Sequence, residues 1–529
     1  MDFPIRPVLA ALALSSLTAS TAAAQTAGPP QRGGTMIMVL PEDPASVNPA
    51  LSNSLLDMTI GCQVYQSLVD IDWEFKPKSV LAKSWTISPD ALTYTFDLIE
   101  TNWQDGKPFT SADVKYSLLE VTSKLKSSFQ PAAKVIAGID TPDPHKVVIR
   151  LKEPFGPFLM SLACEQGGAI MPKHLFEGTD PLKNPATLST PVGTGPFSLA
   201  DWKRGDRLRM VRNPKYWEPG KPYLDELIVK IITQPAARVQ ALQAGEVDLV
   251  QAIPINSLPV LKADPKLKIE SSNLPPNVNW GFLNNRRKPL DDKRVRQAIM
   301  MATDRDYILK NAFFGIGEVG IAPISTDFGW LADPAVDYRK MYPFDPAKAN
   351  ALLDAAGLKR DADGKRFAMK IATYAGRYPE FVQVVAALRS MWRAVGIEVN
   401  SEQLESTIMV TKVFDELDFD FALMEFGTLG DPAIGIARVY TTAGIGKRFA
   451  NPSGYSNPAV DALFDEGARA TTLEERAVHY KKLQSILAED LPSLNLRQQN
   501  QIDGASAKLQ NAWGVARGEG RFGDAWLMK

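Results

Sequence analysis

Alternation of apolar and polar residues predicts strands along much of this chain, and helix-period patterns separate them. Apolar side chains at every second position predict strands over 93–98 and 418–426, and further strands are predicted over 33–40, 247–250 and 278–284. Apolar side chains three and four positions apart predict helices over 59–69, 236–244, 292–303, 346–356 and 473–487. The spacing of Thr110 and Asp113 is typical of a capping box and predicts a further helix there. Strands and helices mixed in this way indicate the α/β class.

The stretch 367–399 predicts a strand–helix–strand unit. Its parts are a strand over 367–373, a helix over 380–395 and a strand over 397–399. Parallel strands joined in this way need a crossover, which is right-handed in nearly all proteins. Because 529 residues exceed what one hydrophobic core usually holds, we expect at least two lobes, with this unit in the second.

A β-hairpin is predicted over 196–211, with its turn at 203–206. Gly205 supplies the positive φ that a tight turn needs, and Leu208 and Met210 alternate with polar residues as in a half-buried strand. The hairpin is flanked by the runs PVGTGPF at 191–197 and RNPKYW at 212–217. These two runs are the most distinctive sequence of the chain.

The first residues have the pattern of an export signal. Arg6 provides the positive start, 7–17 an apolar stretch, and the run AAA at 22–24 a small-residue cleavage site. The apolar stretch is too short to cross a bilayer, and no later segment is long and apolar enough to do so. Since no cysteine follows the cleavage site, we expect a signal peptide over 1–24, no lipid anchor, and a mature protein free in the periplasm.

Composition and charge are those of an ordinary globular protein. The hydrophobic fraction is 45%, and 59 basic residues nearly balance 60 acidic residues, for a formal net charge of -1. Because no basic excess is present, binding to nucleic acid is not expected. The only two cysteines, Cys62 and Cys164, leave two alternatives open: a disulfide in an oxidising compartment, or two buried free thiols.

Several other runs accompany the hairpin in a fixed order. They are YQSLV at 65–69, AKSW at 82–85, YTF at 94–96, WQDGKP at 103–108, RVQALQAGEVD at 238–248, RVRQA at 294–298 and TDR at 303–305. Together with the hairpin they cover most of the mature chain. They resemble the extracytoplasmic solute-binding proteins of family 5, the peptide-, dipeptide- and nickel-type binding components of ABC importers.

The resemblance implies a bilobal, type II periplasmic-binding-protein-like α/β fold with an extra subdomain in the first lobe. The implied divisions are 33–50, 188–280 and 497–529 for the core of the first lobe, 51–187 for the extra subdomain, and 281–496 for the second lobe. Two strands would cross between the lobes, near Trp280 and near 493–497. The implied activity is capture of a peptide or peptide-like solute between the lobes and its delivery to ABC permease subunits, by a monomer without cofactors.

The resemblance also implies a ligand-anchoring position in the loop 427–432. Peptide-binding members similar to this chain place an Asp there, facing the ligand amine, and the match puts Thr428 at that position. A hydroxyl accepts a hydrogen bond but cannot neutralise a buried ammonium. Glu425 and Asp431 are therefore candidates to replace it, although the alternatives for them are a solvated strand edge and a turn aspartate.

Five more residues are candidate ligand contacts. Arg377 lies close to the arginine that holds a ligand carboxylate in dipeptide binders, and its alternative is a surface arginine. Asn53 and Ser54 match the loop after the first strand, where the alternative is a helix N-cap. Trp280 and Phe426 can stack on a ligand, but aromatic residues at strand ends more often belong to a core.

The same residues were also compared with three other functions: binding of a different solute, metal binding and catalysis. The same scaffold can hold an opine, an oligosaccharide or a metal chelate. A protein-only metal site is not expected because no H-x-x-x-H or C-x-x-C motif is present. An enzyme is not expected either, since His145, His174 and His479 are dispersed and no G-x-S-x-G nucleophile motif occurs.

Overall fold

A computed structural model describes residues 28–52, 54–72, 76–374, 378–512 and 522–529. Within it, Gln31–Lys529 forms one compact unit. The signal peptide predicted over 1–24 lies outside the described residues and stays a prediction.

A mixed sheet runs through this unit. Ten of its strands lie in the order Ile397–Leu404, Phe367–Tyr374, Phe421–Gly427, Leu267–Leu283, Ser493–Ser506, Leu249–Val250, Thr35–Leu40, Glu226–Ile231, Arg207–Arg212 and Phe197–Lys203. The short strand Glu318–Val319 pairs with Ser493–Ser506 beside this path. The predicted strand–helix–strand unit is confirmed, since Phe367–Tyr374 pairs in parallel with Ile397–Leu404 across the helix Glu380–Ala394.

Two long antiparallel strands, Leu267–Leu283 and Ser493–Ser506, lie side by side in this sheet. Their pairing is irregular at two places, between Ser272 and Asn277 and between Asn279 and Trp280. The part that ends at Leu283 pairs with Phe421–Gly427, while the far end of Ser493–Ser506 pairs with Leu249–Val250. The pair therefore connects the two ends of the sheet.

The remaining strands form smaller sheets. A four-stranded antiparallel sheet has the order Ala82–Ile87, Thr93–Leu98, Lys146–Leu151 and Ile136–Asp143. Two-stranded sheets pair Val69–Ile71 with Pro77–Ser79, and Leu509–Gln510 with Trp526–Leu527. The hairpin predicted over 196–211 is confirmed by the antiparallel strands Phe197–Lys203 and Arg207–Arg212.

Helices cover both faces of the sheets. The α-helices are Leu55–Gly61, Ser111–Tyr116, Ser123–Leu125, Gln130–Val135, Phe158–Ser161, Lys173–Phe176, Pro185–Leu188, Pro235–Gln243, Leu258–Lys262, Lys293–Met301, Arg305–Asn311, Tyr338–Met341, Pro346–Ala355, Glu380–Ala394, Ser406–Val410, Ala437–Tyr440, Pro458–Arg469 and Leu473–Asp490. The π-helical turns are Ser117–Thr122, Cys164–Gly168, Thr411–Asp415 and Pro432–Ile436. The 3₁₀ turns are Ser127–Phe129, Ile255–Ser257, Gly329–Leu331, Thr442–Gly444 and Phe522–Asp524.

Alternation along the strands divides the buried side chains between cores on opposite faces of the sheet. In Phe421–Gly427, Phe421 and Leu423 face one core while Ala422 and Met424 face another, because successive side chains point to opposite faces. A further core surrounds the first strand and the hairpin, and another fills the four-stranded sheet.

The two cysteines form a disulfide. Cys62 and Cys164 are joined by an S–S bond of 2.04 Å across a sequence separation of 102 residues. Both side chains are buried in the core around the first strand. Of the two alternatives left open by the sequence, the structure has the disulfide.

The helix predicted over 59–69 is wrong in its position. The observed helix is Leu55–Gly61, and the chain beyond it is irregular up to the strand Val69–Ile71. The carbonyls of Gln63 and Val64 instead accept hydrogen bonds from the backbone N–H groups of Phe197 and Gly195, at 3.1 and 2.8 Å. The apolar spacing arose from burial in this tertiary contact and not from one face of a helix.

The glycines of the run 191–197 are required by this close approach. A Cβ added to Gly193 would lie 1.8 Å from the carbonyl oxygen of Val64. We expect Gly193→Ala to lower the free energy of unfolding by about 1–3 kcal/mol, because backbone must move to admit the methyl group. Urea denaturation measures this change. Gly329→Ala, which meets nothing within 4 Å, is the matched control, and an equal effect of both variants would contradict the explanation.

Candidate functional site

The residues predicted to contact a ligand occupy different environments. Asn53 and Arg377 lie outside the described residues. Ser54 is exposed and immediately precedes the helix Leu55–Gly61, but its side chain caps no backbone N–H of that helix. Its contact with a ligand stays a prediction.

Trp280 and Phe426 lie together in a buried aromatic cluster. Their ring centroids are 6.0 Å apart, and Phe282 and Tyr440 lie within 5.4–6.3 Å of one or the other. Trp280 is fully buried, and its indole N–H has no hydrogen-bond partner in the described part of the chain. This environment agrees with the alternative that both rings belong to the core.

Asp431 is held by a buried ion pair. Its carboxylate accepts two hydrogen bonds from the guanidinium of Arg476, at 2.6 and 2.7 Å, and both side chains are 5% exposed. It also accepts from the N–H of Ala433 at the start of the turn Pro432–Ile436. Burial favours neutral Arg476, but the carboxylate of Asp431 raises the pKa of Arg476 above its usual value. These bonds explain how the loop 427–432 is fixed at its end.

A second arginine supports the same loop from the other side. Arg438 donates hydrogen bonds to the carbonyls of Gly427, Gly435 and Phe449, at 2.8–3.2 Å, and lies over the ring of Phe426. Burial lowers the pKa of Arg438 to about 10. Because the guanidinium donors are directed to main-chain carbonyls, Arg438 helps to fix the path of the loop together with the pair of Asp431 and Arg476.

Thr428 lies inside this supported loop. Its side chain is fully buried, and its hydroxyl has no hydrogen-bond partner among the described residues. A buried hydroxyl without a partner costs on the order of 1–3 kcal/mol. The loop therefore contains a buried polar group that the described residues leave unsatisfied.

A set of polar side chains lies near the ends of the strands Phe367–Tyr374 and Phe421–Gly427, and we call it the strand-end cluster. Its members are Asn279, Thr373, Glu380, Glu425 and Arg497. The register places Asn279 opposite both Glu425 and Arg497, on the face that carries Leu423 further along. Asn279 donates a hydrogen bond to Glu425 at 3.1 Å. The face of the sheet that is apolar at Leu423 is therefore polar at Asn279, Glu425 and Arg497.

Arg497 is the most unusual member of the strand-end cluster. It is fully buried, and none of its three guanidinium nitrogens has a hydrogen-bond partner within the described ranges. The guanidinium lies 4.1 Å from the ring centroid of Phe313, a cation–π contact. Burial lowers the pKa of Arg497 to about 10, opposed by the charges of Glu380 and Glu425.

The carboxylate of Glu380 belongs to the same electrostatic group. Burial raises its pKa, the charge of Glu425 adds to this effect, and Arg497 opposes it. Glu380 begins the helix Glu380–Ala394 after the strand Phe367–Tyr374. Since Phe367–Tyr374 and Phe421–Gly427 are parallel, their carboxyl ends lie at one edge, which is where open α/β sheets bind ligands.

Two distant parts of the chain meet at the loop 427–432. Gln166, in the turn Cys164–Gly168, donates a hydrogen bond from its side chain to the carbonyl of Leu429 at 3.2 Å. The backbone N–H of Gly156 donates a hydrogen bond to the carbonyl of Ala468 at 2.8 Å. Glu153 forms an ion pair with Arg469 at 2.6 Å. The segment 51–187 therefore contacts both this loop and the helix Pro458–Arg469.

Sequence reasoning missed Glu380, Arg497 and Gln166. A charged residue directly after the alternating apolar residues Leu494 and Leu496 was the only local signal for Arg497. Glu380 and Gln166 have no distinctive sequence surroundings, because their neighbours come from remote parts of the chain.

Within the described ranges, no group of three or more His, Cys, Asp and Glu side chains is arranged to hold a metal ion. None of the described helices combines the length and apolar character needed to cross a bilayer.

The sequence model of the bacterial extracellular solute-binding proteins, family 5 Middle, matches residues 76–447. A Brucella ovis protein, named as a candidate ABC transporter peptide-binding protein, is 32% identical over 450 residues, which is 82% of this chain and 80% of that protein. The Escherichia coli protein named "Probable D,D-dipeptide-binding periplasmic protein DdpA" is 30% identical, covering 87% of each chain.

A solved structure shows the same architecture. The oligopeptide-binding protein AppA from Bacillus subtilis, in complex with a nonapeptide, is 25% identical and superimposes with a TM-score of 0.83 over 94% of this chain and all of that one. The α/β fold is thus the bilobal periplasmic-binding-protein fold that the sequence predicted. The chain belongs to family 5 of the bacterial extracellular solute-binding proteins.

Proposed function

We propose that the protein binds a peptide or peptide-like solute between two lobes and delivers it to the permease of an ABC importer. The observation that carries this proposal is the family membership, with relatives named for peptide binding that align over more than four fifths of this chain. AppA, whose structure was solved with a nonapeptide, has the same fold.

The geometry of the site supports this proposal. The loop 427–432 and the helix beginning at Glu380 follow two parallel strands, so both lie at the ligand-binding edge of the sheet. Among the described residues, the buried hydroxyl of Thr428 has no hydrogen-bond partner and the buried guanidinium of Arg497 donates no hydrogen bond. Amides, amines and carboxylates of a peptide are suitable partners for groups of this kind.

We infer that the lobes have the predicted boundaries, with 51–187 as the extra subdomain and 281–496 as the second lobe. The core of the four-stranded sheet supports this, since all its buried members except Ala433 come from 68–170. The core that contains Trp280 and Phe426 is formed by residues between 278 and 487. The long strands Leu267–Leu283 and Ser493–Ser506 would then be the crossings between lobes.

We further infer where the protein acts and with which partners. The family is extracellular, and cleavage of the signal peptide predicted over 1–24 would leave the mature protein in the periplasm. ABC permease subunits are the proposed protein partners. The mature protein is proposed to act as a monomer, and size-exclusion chromatography with light scattering tests this.

A thermal-shift screen tests the binding proposal. A peptide present at about a hundred times its dissociation constant is expected to stabilise the folded protein by about 2.7 kcal/mol, because it binds the native state alone. The screen should contain di-, tri- and oligopeptides, with opines, oligosaccharides and nickel–histidine complexes as comparison classes. Stabilisation by a comparison class and by no peptide would contradict the proposed solute.

A further inference from the structure

Three polar contacts join the segment 51–187 to the residues 429–469. They are the ion pair of Glu153 with Arg469 at 2.6 Å, the hydrogen bond from the backbone N–H of Gly156 to the carbonyl of Ala468 at 2.8 Å, and the hydrogen bond from the side chain of Gln166 to the carbonyl of Leu429 at 3.2 Å. We call these three contacts together the closing contact. All of its donors and acceptors belong to the chain itself, so the contact forms without a solute.

Apolar packing accompanies the closing contact. Ala433, which follows the loop 427–432, is 5% exposed and belongs to the core of the four-stranded sheet. Ala468 is partly buried and packs against the same core. Burial of apolar surface stabilises a contact roughly in proportion to the area removed from water. The core of the segment 51–187 thus includes side chains from the remote part of the chain that the closing contact reaches.

The two sides approach each other closely at Gly156. A Cβ added to this residue would lie 2.5 Å from the carbonyl oxygen of Ala470 and 3.3 Å from Cδ of Arg476. The third nearest atom is Nε of Arg476, at 3.4 Å, so all three belong to the facing side. The φ of Gly156 lies outside the left-handed region, and the backbone of its own segment therefore does not require glycine there.

The facing side is held firmly at this place. Arg476 is 5% exposed, and its guanidinium donates two hydrogen bonds to the carboxylate of Asp431 and one to the carbonyl of Gly467. The arginine cannot move aside without breaking this buried ion pair, which is costly. A methyl group at position 156 would therefore be accommodated by separation of the two sides.

The three polar contacts are expected to differ in strength. The side chains of Glu153 and Arg469 are 43% and 51% exposed, and exposed ion pairs contribute little because water and salt screen them. The hydrogen bonds from Gly156 and Gln166 are directed to main-chain carbonyls, beside the buried side chain of Ala433. These two hydrogen bonds and the packing around them therefore supply most of the stabilisation.

The two sides are able to separate because no sheet joins them directly. In the described part of the chain, the four-stranded sheet of the segment 51–187 shares no strand with the main sheet. The proposed crossings, Leu267–Leu283 and Ser493–Ser506, pair irregularly at two places, and irregularities of this kind bend strands. A change of bend there would break the closing contact, while the remaining parts of both cores stay together.

We propose that the closing contact is a latch that holds the two lobes together before a solute binds, and that Gly156 is the positioning residue on which it depends. This inference rests on the proposed function, which assigns the segment 51–187 and the residues 281–496 to different lobes. The latch raises the affinity for the solute, because the apparent dissociation constant is that of the closed form divided by the closed fraction of the empty protein.

The test measures the separation of the two sides in the mature protein. Nitroxide labels are attached at Lys83→Cys and Lys482→Cys, two exposed positions in the strand Ala82–Ile87 and the helix Leu473–Asp490. The native cysteines are joined in their disulfide, so only the introduced ones react. Pulsed electron–electron double resonance gives the distance between the labels, without and with a peptide that the wild type retains from a casein peptone digest. Calorimetry gives the dissociation constant of that peptide.

We expect the empty wild type to show mainly the shorter of two label distances, and empty Gly156→Ala mainly the longer one. Saturating peptide should return Gly156→Ala to the shorter distance. Its dissociation constant should rise about tenfold, as for a closed fraction reduced about tenfold. Gln166→Ala, which adds no atom, should change both quantities in the same direction. Gly138→Ala is the matched control and should behave as the wild type does, since a Cβ there meets only the guanidinium of Arg150, at 4.0 Å.

Three results would overturn the inference. The empty wild type could show the longer distance, or Gly156→Ala and Gln166→Ala could both keep the wild-type distance, and in either case the closing contact does not hold the lobes. A longer distance in the variants without weaker peptide binding would show that the latch does not serve the solute. The distances of the empty protein do not depend on any peptide. If the wild type retained no peptide, the proposed solute would be contradicted, and the label distances would still decide whether the latch exists.

Discussion

Asp431→Asn is expected to destabilise the protein by about 3–5 kcal/mol. The change leaves an acceptor for the N–H of Ala433 but removes the charge that pairs with buried Arg476. Breaking a buried ion pair by removing one partner costs this much because the other charge remains buried and unpaired. Urea denaturation gives the free energy of unfolding.

A double-mutant cycle and an exposed pair provide the controls for this expectation. Adding Arg476→Met to Asp431→Asn should cost less than the sum of the single changes, since both remove one interaction. Asp415→Asn breaks an exposed pair with Arg448 and should cost less than about 1 kcal/mol. If Asp431→Asn weakened peptide binding while stability stayed unchanged, Asp431 would be a ligand contact and not part of the scaffold.

Reduction of the disulfide between Cys62 and Cys164 is expected to lower the free energy of unfolding by about 4–5 kcal/mol. The bond closes a loop with a sequence separation of 102 residues, and a loop of about this length restricts the unfolded chain by about 4.7 kcal/mol in the chain-entropy account. Urea denaturation of the same wild-type protein, with and without dithiothreitol, measures the difference without changing any side chain.

The variant Cys62→Ala/Cys164→Ala separates this effect from other actions of the reductant. It should resemble the reduced wild type, apart from the loss of two buried sulfur atoms, and should not respond to dithiothreitol. A change below about 1 kcal/mol in the wild type would show that the unfolded chain is already compact across this loop.

The sequence predicted those parts of the fold that depend on residues close together in the chain, such as capped helix starts. Asp292 caps its helix with its own side chain, as does Asn457, and Thr110 forms the predicted capping box with Asp113. The strand predicted over 278–284 was too short. It begins at Leu267, because its long neighbour Ser493–Ser506 extends it past a run with two prolines that breaks the alternation.

The candidate site was harder to predict from the sequence, because the polar groups that distinguish it are recognised by the absence of a hydrogen-bond partner. Arg497 stands out only once all its neighbours are known and no hydrogen-bond partner remains among the described residues. Asp431 shows the opposite case: the sequence placed it correctly in a loop, but its partner Arg476 is 45 residues away. No spacing rule connects the two.

The central position of Ser493–Ser506 affects how this chain is made. That strand lies between Leu267–Leu283 and Leu249–Val250, so the middle of the sheet stays empty until the ribosome has passed residue 493. Until then the strands made earlier have unpaired edges, which slows folding and favours the binding of chaperones. For a secreted protein this delay is useful, because a chain whose sheet is incomplete stays unfolded until it has been translocated.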